Sequence, residues 1–450
     1  MRGGQEGARC TLPRTNYLES TSHPGIEAAV ISRLTWRIVP FLFLLYIVAY
    51  LDRINVGFAA LEMRKQLGFN DAIIGFALGA FFLGYVIFQV PSNLILRRVG
   101  ARRWIGVLMV AWGIISSSML LVHTPAEFYA LRFLLGIAEA GFFPGMIFYL
   151  RSWFPSSARA RTVAWFMTAG PLSGVVGGPI SGALLGIHRA GLAGWQWLFL
   201  IEGLPAIMLG FVAFFYLTDA PEKALWLSTD ERGWLIGTLS REERPDPAVQ
   251  SGSVFAALLA GNAWLLILVY FGLNIGSYGI SLWLPSIIHS LSGIGTFRIG
   301  LMAAIPYVAA AVAMVLVGHH SDRSGERRWH VAIAGLTGGF ALCIASRCSS
   351  VVALIVAISL TTVCIYSMLG PFWAISTSLL AEAAAAPGIA TVNSLGNLGG
   401  WVGPTVIGIL RKTTGSFAGG LLFAGVALAL SGYLVLLVHM KPARRDATIL

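Results

Sequence analysis

The heptapeptide Arg98-Val-Gly-Ala-Arg-Arg-Trp104 recurs 225 residues later as Arg323-Ser-Gly-Glu-Arg-Arg-Trp329, in a chain of 450 residues. Five of the seven positions are identical, and each copy joins two long apolar stretches. A basic motif that returns after half the chain length, in the same place between apolar stretches, indicates duplication of one structural unit. The sequence therefore predicts two similar halves that face each other across a pseudo-two-fold axis.

The composition excludes a soluble globular protein. Hydrophobic residues make up 56% of the chain and charged residues 11%, less than half of the ~25% typical of soluble domains. The apolar stretches are about 20 residues long, which suits a membrane-spanning helix and far exceeds a barrel strand. The predicted fold is all-α and polytopic, with twelve transmembrane helices in two pseudo-symmetric six-helix bundles. The predicted spans are 36–58, 73–94, 104–122, 127–148, 163–187, 196–217, 258–285, 299–318, 331–347, 351–379, 389–410 and 417–439.

The basic residues lie mainly between the predicted spans. With the N-terminus in the cytoplasm, 22 Lys and Arg residues fall in cytoplasmic segments and 7 in external ones, as the positive-inside rule requires. Both termini are therefore predicted to be cytoplasmic. Because the net charge of +11 is spread over many connecting segments rather than gathered on one face, no nucleic-acid partner is expected.

The segments outside the bundles are polar. We expect a flexible cytoplasmic leader at 1–33, bundles at 34–217 and 258–440, a cytoplasmic linker at 218–257 and a cytoplasmic tail at 441–450. Within the linker, residues 228–240 fit a helix on the inner membrane surface, which is the favoured reading, or a solvated linker. The four cysteines have no metal-binding spacing, so no metal or other cofactor is expected.

Several motifs resemble those of a known family. The segment Gly318–Arg328, with the sequence GHHSDRSGERR, resembles the cytoplasmic loop signature of the major facilitator superfamily. Other motifs are similar to its anion:cation symporter family, and Pro91–Asn93 with Val99–Trp104 most resembles the tartrate and phthalate branch. The chain departs from the family at Arg97, where an acidic residue is usual. The motifs in helices 1, 4 and 6 are Leu51–Asn55, Arg132–Gly141, Trp153–Pro155 and Trp197–Pro205.

Four ionisable side chains are assigned to the interiors of predicted spans, namely Asp52, Arg53, Arg132 and Glu139. Each charge at the centre of a membrane helix costs about 2.5–3.5 kcal/mol, so the set requires partners or a function. Two readings are open: structural ion pairs that lock helices 1 and 4 together, or a proton-coupled anion site, which we favour. Helical rise places Asp52 and Arg132 at similar depth, with Glu139 two turns deeper. We expect Asp52 to pair with Arg132 when deprotonated, and Glu139 to be the second titrating group.

Arg53 is then the candidate anchor for a substrate anion, because its planar guanidinium matches a carboxylate with two parallel hydrogen bonds. The resemblance implies the same roles, with proton coupling at Asp52 and Glu139 and anion binding at Arg53. Polar and aromatic side chains that fit either substrate binding or helix packing are Tyr50, Tyr85, Trp373, Ser376, Thr377, Asn393 and Asn397. The two tyrosines rank higher, since the family's sugar-acid carriers use tyrosines at those positions. The resemblance also implies a cytoplasmic clamp in the outward-open state that contains Arg98, Arg102, Asp322 and Arg323.

The sequence thus predicts a carrier in a lipid bilayer, expected to be monomeric, and the resemblance places it in a bacterial inner membrane. The resemblance also implies that it imports a small organic anion of the tartrate, sugar acid or aromatic carboxylate class together with protons, by alternating access. Proton-independent facilitation or exchange, and anion sensing without transport, remain alternatives. An intramembrane enzyme is not expected, since the chain has no HExxH, GxSxG or Walker pattern. Glycine-rich stretches at 170–182 and 396–404 allow close helix contacts, and they fit either a moving seam between the halves or simple tight packing.

Overall fold

The computed structural model describes residues 24–242 and 261–439, and this part of the chain is almost entirely helical. Helix interiors carry the long apolar runs, whereas glycine, proline and polar residues occupy the connections. The helices are α1 (Pro24–Leu67), α2 (Asp71–Val99), α3 (Ala101–Ser118), α4 (Pro125–Glu139), α5 (Phe142–Trp153), α6 (Ser156–Met167), α7 (Ala169–Leu184), α8 (Gly194–Tyr216), α9 (Thr229–Glu242), α10 (Gly261–Ser292), α11 (Thr296–Ser324), α12 (Arg328–Ala345), α13 (Val351–Asn397), α14 (Gly399–Thr414) and α15 (Ala418–Leu434).

Eleven helical segments of the described chain are long and apolar enough to cross a bilayer. A twelfth follows from the geometry of α13. A Cβ atom built on Gly388 would lie 3.4 Å from the Cβ atom of Leu380, whereas eight residues of straight helix span about 12 Å. Leu380 and Gly388 therefore do not lie on one straight helix, and residues 388–397 form a separate crossing together with α14. The predicted all-α fold with twelve crossings is confirmed.

Two predicted spans are each built from two helices. The fourth crossing consists of α4 and α5, which meet at Gly141, and the fifth consists of α6 and α7, which meet at Thr168. A Cβ atom on Gly141 would overlap the side chain of Ser92 on α2, so only a residue without a side chain fits there. Ser92 is itself held by the indole of Trp104, whose Nε1 donates to its Oγ at 2.9 Å. The contact with α2 thus explains why glycine occupies the break between α4 and α5.

The two halves meet in a symmetric pattern. Crossing two packs against crossing eleven through α2 and α14, and crossing eight packs against crossing five through α11 and α7. A pseudo-two-fold axis that exchanges the halves converts the first contact into the second. Crossings one and seven, which the same axis exchanges, also touch through α1 and α10. This arrangement is the one that the duplicated heptapeptide predicts.

Glycines allow the helix backbones of the two halves to approach each other closely at the seam. A Cβ atom on Gly178 of α7 would come 2.6 Å from the carbonyl oxygen of Gly300 on α11. Likewise, a Cβ atom on Gly75 of α2 would come 2.7 Å from the carbonyl oxygen of Pro404 on α14. The glycine-rich stretches in spans five and eleven thus pack closely against the other half, and their predicted role in a moving seam stays a prediction.

The described segments at the predicted domain boundaries are helical. Helix α1 begins at Pro24, ten residues before the predicted start of the bundle at 34, because Val30 is fully buried and extends the packed face. Helix α9 occupies the predicted amphipathic segment and is tied to the first half by an ion pair of 2.8 Å between Arg33 and Glu231. The other ends of the predicted leader and linker, and the tail, lie outside the described residues.

Candidate functional site

Asp52 and Arg53 point in different directions because neighbouring residues of an α-helix are about 100° apart. Asp52 is 1% exposed and faces α3, where Ser116 Oγ donates to its Oδ1 at 2.7 Å. Asn55, one turn along α1, donates from Nδ2 to the same oxygen at 3.4 Å. Asp52 is therefore enclosed within the first half of the protein.

Arg53 faces the seam and pairs with Glu139. The distance between Arg53 Nη2 and Glu139 Oε2 is 2.7 Å, and Glu139 is fully buried. Arg53 Nη1 also reaches across the seam and donates to the hydroxyl of Tyr278 on α10 at 3.4 Å. The guanidinium carbon lies 5.2 Å from the ring centroid of Tyr50 and 5.5 Å from that of Tyr85. The structure thus brings together four predicted site residues and adds Tyr278.

The predicted pairing of Asp52 with Arg132 is wrong. Arg132 is fully buried, its Nε donates to the carbonyl oxygen of Ala77 at 3.4 Å, and its two terminal nitrogens find no hydrogen-bond partner among the described residues. Similar depth in the membrane does not specify rotation about the helix axis. Asp52 turns toward α3, whereas the side chain of Arg132 turns toward α2.

One phenylalanine separates the two buried guanidinium groups. The guanidinium carbons of Arg53 and Arg132 each lie 5.1 Å from the ring centroid of Phe81, a distance typical of cation–π contacts. Phe81 reaches this position because α2 and α4 approach closely: a Cβ atom on Gly136 would overlap its carbonyl oxygen. The ring therefore gives each guanidinium a cation–π contact that offsets part of the repulsion between the two like charges.

A small cavity lies between the halves, and two of its lining residues, Tyr50 and Tyr278, contact the Arg53 guanidinium. Hydroxyl groups dominate its polar lining, and Lys, Arg, Asp and Glu do not contribute to it. Tyr50 links the cavity to the Arg53 guanidinium on one side, and Tyr278 links it on the other. The cavity thus offers many neutral hydrogen-bonding groups next to one cation. Its hydroxyl-bearing residues are Tyr50, Ser277, Tyr278, Ser281, Tyr307, Thr362 and Tyr366.

The predicted polar residues of the second half do not line this cavity. Ser376 Oγ donates to the carbonyl oxygen of Phe372 at 2.9 Å, and Thr377 Oγ1 donates to that of Trp373 at 2.9 Å. Asn397 Nδ2 donates to the carbonyl oxygen of Asn393 at 2.8 Å. These bonds join neighbouring turns of α13, and the Trp373 ring packs edge-on against Tyr270 at 5.1 Å. In this structure the group serves local helix structure.

Two kinds of site residue were not predicted from the sequence. Tyr278, Tyr307 and Tyr366 lie in predicted spans seven, eight and ten, but tyrosines within apolar runs do not reveal which of them face a seam. Glu202 carried a clear signal, since it is a carboxylate within predicted span 196–217. It is buried, and Ser181 Oγ donates to its Oε1 at 2.7 Å.

One end of the seam is closed by a charged cluster, which we call the closed end. Asp71 Oδ1 lies 2.9 Å from Arg64 Nε, and Asp71 Oδ2 lies 3.8 Å from Arg411 Nε of the second half. Arg64 Nη2 also donates to Ser286 Oγ on α10 at 3.0 Å. These contacts join α1 and α2 to α10 and α14, and thereby hold the two halves together.

The duplicated loops lie at the opposite end. Arg102 pairs with Asp219 at 3.0 Å, and Asp322 pairs with Arg327 at 3.5 Å, so each of these ion pairs stays within one half. Arg98 and Arg323 are exposed. The predicted clamp that contains these residues belongs to the outward-open state, in which the end with the duplicated loops would be shut. It therefore stays a prediction. Within 24–242 and 261–439, no group of three or more His, Cys, Asp or Glu residues could hold a metal ion.

Twelve crossings in two symmetric halves, with a buried ion pair and a cavity at their seam, define a multi-pass membrane transporter. Residues 42–404 match the model of the Major Facilitator Superfamily, and the chain belongs to this family. It is 50% identical over 414 residues to a "Putative tartrate transporter" of Agrobacterium vitis, covering 92% of this chain and 95% of that one. It is 38% identical over 420 residues to a "Quinolone resistance transporter" of Acinetobacter baumannii, covering 93% and 97%.

A solved structure shares the fold. The crystal structure of a bacterial homologue of the human lysosomal transporter Spinster, in an inward-facing and unoccupied conformation, has a TM-score of 0.73 to this chain. The two are 17% identical, and the match covers 92% of this chain and 99% of that one. With so little identity, the likeness concerns the fold alone. The family and the named relatives establish a transporter rather than an enzyme.

Proposed function

We propose that this protein imports a small organic acid anion with protons, by alternating access, as a monomer in a bacterial inner membrane with both termini in the cytoplasm. Tartrate is the first substrate to test, because relatives that are 50% identical carry that name. Sugar acids and aromatic carboxylates belong to the same proposed class. The proton gradient supplies the driving force, and no cofactor takes part.

The observation that carries the proposal is the ion pair between Arg53 and Glu139 at the seam. A substrate carboxylate and the Glu139 carboxylate would compete for the same guanidinium. Protonation of Glu139 removes its charge and leaves Arg53 free for the anion, whereas loss of the proton restores the pair. Binding of the anion and binding of the proton therefore favour each other, and this mutual coupling is what symport requires.

Asp52 is proposed as the second proton-carrying group. It is buried close to Arg53 on α1, it has no ion-pair partner among the described residues, and its Oδ2 lacks a hydrogen-bond partner there. A carboxylate in such surroundings is stabilised by taking up a proton. In the proposed cycle, the closed end opens toward the outside and the duplicated loops then clamp the cytoplasmic end.

Uptake into proteoliposomes that contain the purified protein tests the proposal. Radiolabelled tartrate, a hexonate and benzoate are supplied outside, with an inward proton gradient. We expect at least one anion to accumulate above its external concentration and a protonophore to abolish the accumulation. Equilibration that is indifferent to pH would indicate a facilitator, and binding without uptake would indicate a sensor. Either result would overturn the proposal.

A separate assay measures export of a quinolone. It examines the activity suggested by the name of the "Quinolone resistance transporter" relative.

The closed end yields a separate prediction for Asp71→Asn. The substitution removes the carboxylate between Arg64 and Arg411, and each partly exposed ion pair stabilises the closed end by up to about 1 kcal/mol. Only the pair with Arg411 joins the two halves, so we expect the open population to rise by up to about fivefold. The measurement is labelling of Ser286→Cys by a membrane-impermeant maleimide, corrected for the same protein without this cysteine. Glu231→Gln, at the opposite end, is the control, and equal labelling in both variants would contradict a gating role for Asp71.

A further inference from the structure

A second buried polar cluster lies on the side of α1 away from the seam. We call it the Asn55 cluster, and its members are Asp52, Asn55, Ser116, Ser181 and Glu202. They come from α1, α3, α7 and α8, and none of the five is more than 4% exposed. The ionisable group that faces Glu202 is Asp52 on α1, since α3 and α7 contribute hydroxyl groups. Neither carboxyl group forms an ion pair within the described residues.

The hydrogen bonds of this cluster leave specific oxygen atoms without partners. Glu202 Oε1 accepts from Ser181 at 2.7 Å, whereas Glu202 Oε2 has no hydrogen-bond partner among the described residues. Asn55 Nδ2 donates to Asp52, and Asn55 Oδ1 likewise has no partner there. The Asn55 side chain lies within interaction range of the Glu202 carboxyl group. With the Asn55 amide oriented to donate to Asp52, its oxygen Oδ1 is the atom left for Glu202, and no donor remains between that oxygen and Glu202 Oε2.

One proton on Glu202 resolves this conflict. A protonated carboxyl group is a donor as well as an acceptor, so Oε2–H can donate to Asn55 Oδ1. Buried polar atoms are almost always hydrogen-bonded, and a buried carboxylate without a cation is strongly unfavourable. The proton also fixes the amide orientation, because Asn55 then presents its Nδ2 to Asp52.

We propose that Glu202 stays protonated throughout the transport cycle and acts as a positioning residue that holds Asn55 against Asp52. The effect of Glu202 on transport rests on the proposed function, in which Asp52 carries a proton. The protonation of Glu202 itself does not depend on that proposal. Asn55 stabilises the ionised form of Asp52 by donating a hydrogen bond to it. Loss of this donor lets Asp52 keep its proton to higher pH.

Infrared spectroscopy of the purified protein at neutral pH tests the protonation directly. We expect the wild type to show a protonated-carboxyl C=O band that is absent from Glu202→Gln, and Glu231→Gln to leave this band unchanged. Absence of a difference between wild type and Glu202→Gln would overturn the proposal. This readout needs no substrate, so wild-type uptake that proved independent of protons would refute the proposed function and leave this result standing.

The pH profile of uptake tests the positioning role. Gln at 202 can accept from Ser181 and donate to Asn55, so Glu202→Gln should keep the uptake rate within about twofold and the wild-type pH midpoint. Leucine at 202 cannot donate a hydrogen bond to Asn55. We expect the pH midpoint of uptake in Glu202→Leu to rise by about one pH unit, the shift that corresponds to the loss of one hydrogen bond to a charged group. Asn55→Leu should produce the same rise, and the double variant should add nothing to it. The positioning role would be overturned if Glu202→Gln lost proton-driven uptake, or if Asn55→Leu kept the wild-type pH midpoint of uptake. Neither result depends on whether Glu202→Leu folds.

Discussion

Glu139→Gln is expected to abolish proton-driven accumulation of the anion and to leave anion binding and exchange intact. Glutamine has the shape of a protonated glutamate, so it leaves Arg53 permanently free for the substrate. It cannot release a proton, and accumulation should fall to the level measured without a gradient. Proteoliposome uptake with and without an inward proton gradient, and exchange between equal pools of labelled and unlabelled anion, measure the two activities separately.

The same variant should also change the pH dependence of binding. In the wild type, anion binding should weaken as the pH rises, because ionised Glu139 competes for Arg53 at 2.7 Å. In Glu139→Gln this dependence should disappear. Thermal stabilisation by the anion across a pH series measures it, and Glu231→Gln, at the exposed pair with Arg33, is the matched control. Concentrative uptake by Glu139→Gln would remove Glu139 from the coupling mechanism.

Arg53→Lys is expected to weaken anion binding at least tenfold although the charge is kept. Lysine is a point donor that cannot hold a carboxylate with two parallel hydrogen bonds, and a hydrogen bond to a charged group contributes about 1.5–3 kcal/mol, or roughly one to two orders of magnitude in Kd. Isothermal titration with the transported anion measures the change. Arg33→Lys, at the exposed ion pair with Glu231, should bind as the wild type does. Equal affinity of Arg53→Lys and the wild type would show that guanidinium geometry plays no part.

Much of the fold could be predicted from the sequence because membrane helices are specified by length and hydrophobicity. The repeat of Arg98–Trp104 at Arg323–Trp329 predicts two halves, and the glycine-rich stretches of spans five and eleven predict where they touch. The breaks at Gly141 and Thr168 could not be predicted in the same way. The glycine at 141 is required by a contact with Ser92 on another helix, which the sequence does not reveal.

The residues of the candidate site could be predicted from the sequence better than the contacts between them. Charges in apolar spans identified Arg53 and Glu139, which the structure joins, and the same rule applied to span six would have identified Glu202. The partner of Asp52 was not predictable, because helical rise gives depth while the rotation of each helix depends on packing. For the same reason, Tyr278 could not be distinguished from a packing residue until the seam was known.

The cluster at the closed end has an electrical consequence for the proposed cycle. Asp71 neutralises only one of the two guanidinium groups beside it, so Arg64 and Arg411 leave a surplus positive charge at the mouth of the seam. Once the halves part there, that surplus forms a vestibule that attracts anions from solution and speeds their first encounter with the carrier. Salt would then slow capture much more than it weakens binding deep inside, since mobile ions screen an exposed rim far better than a buried pair.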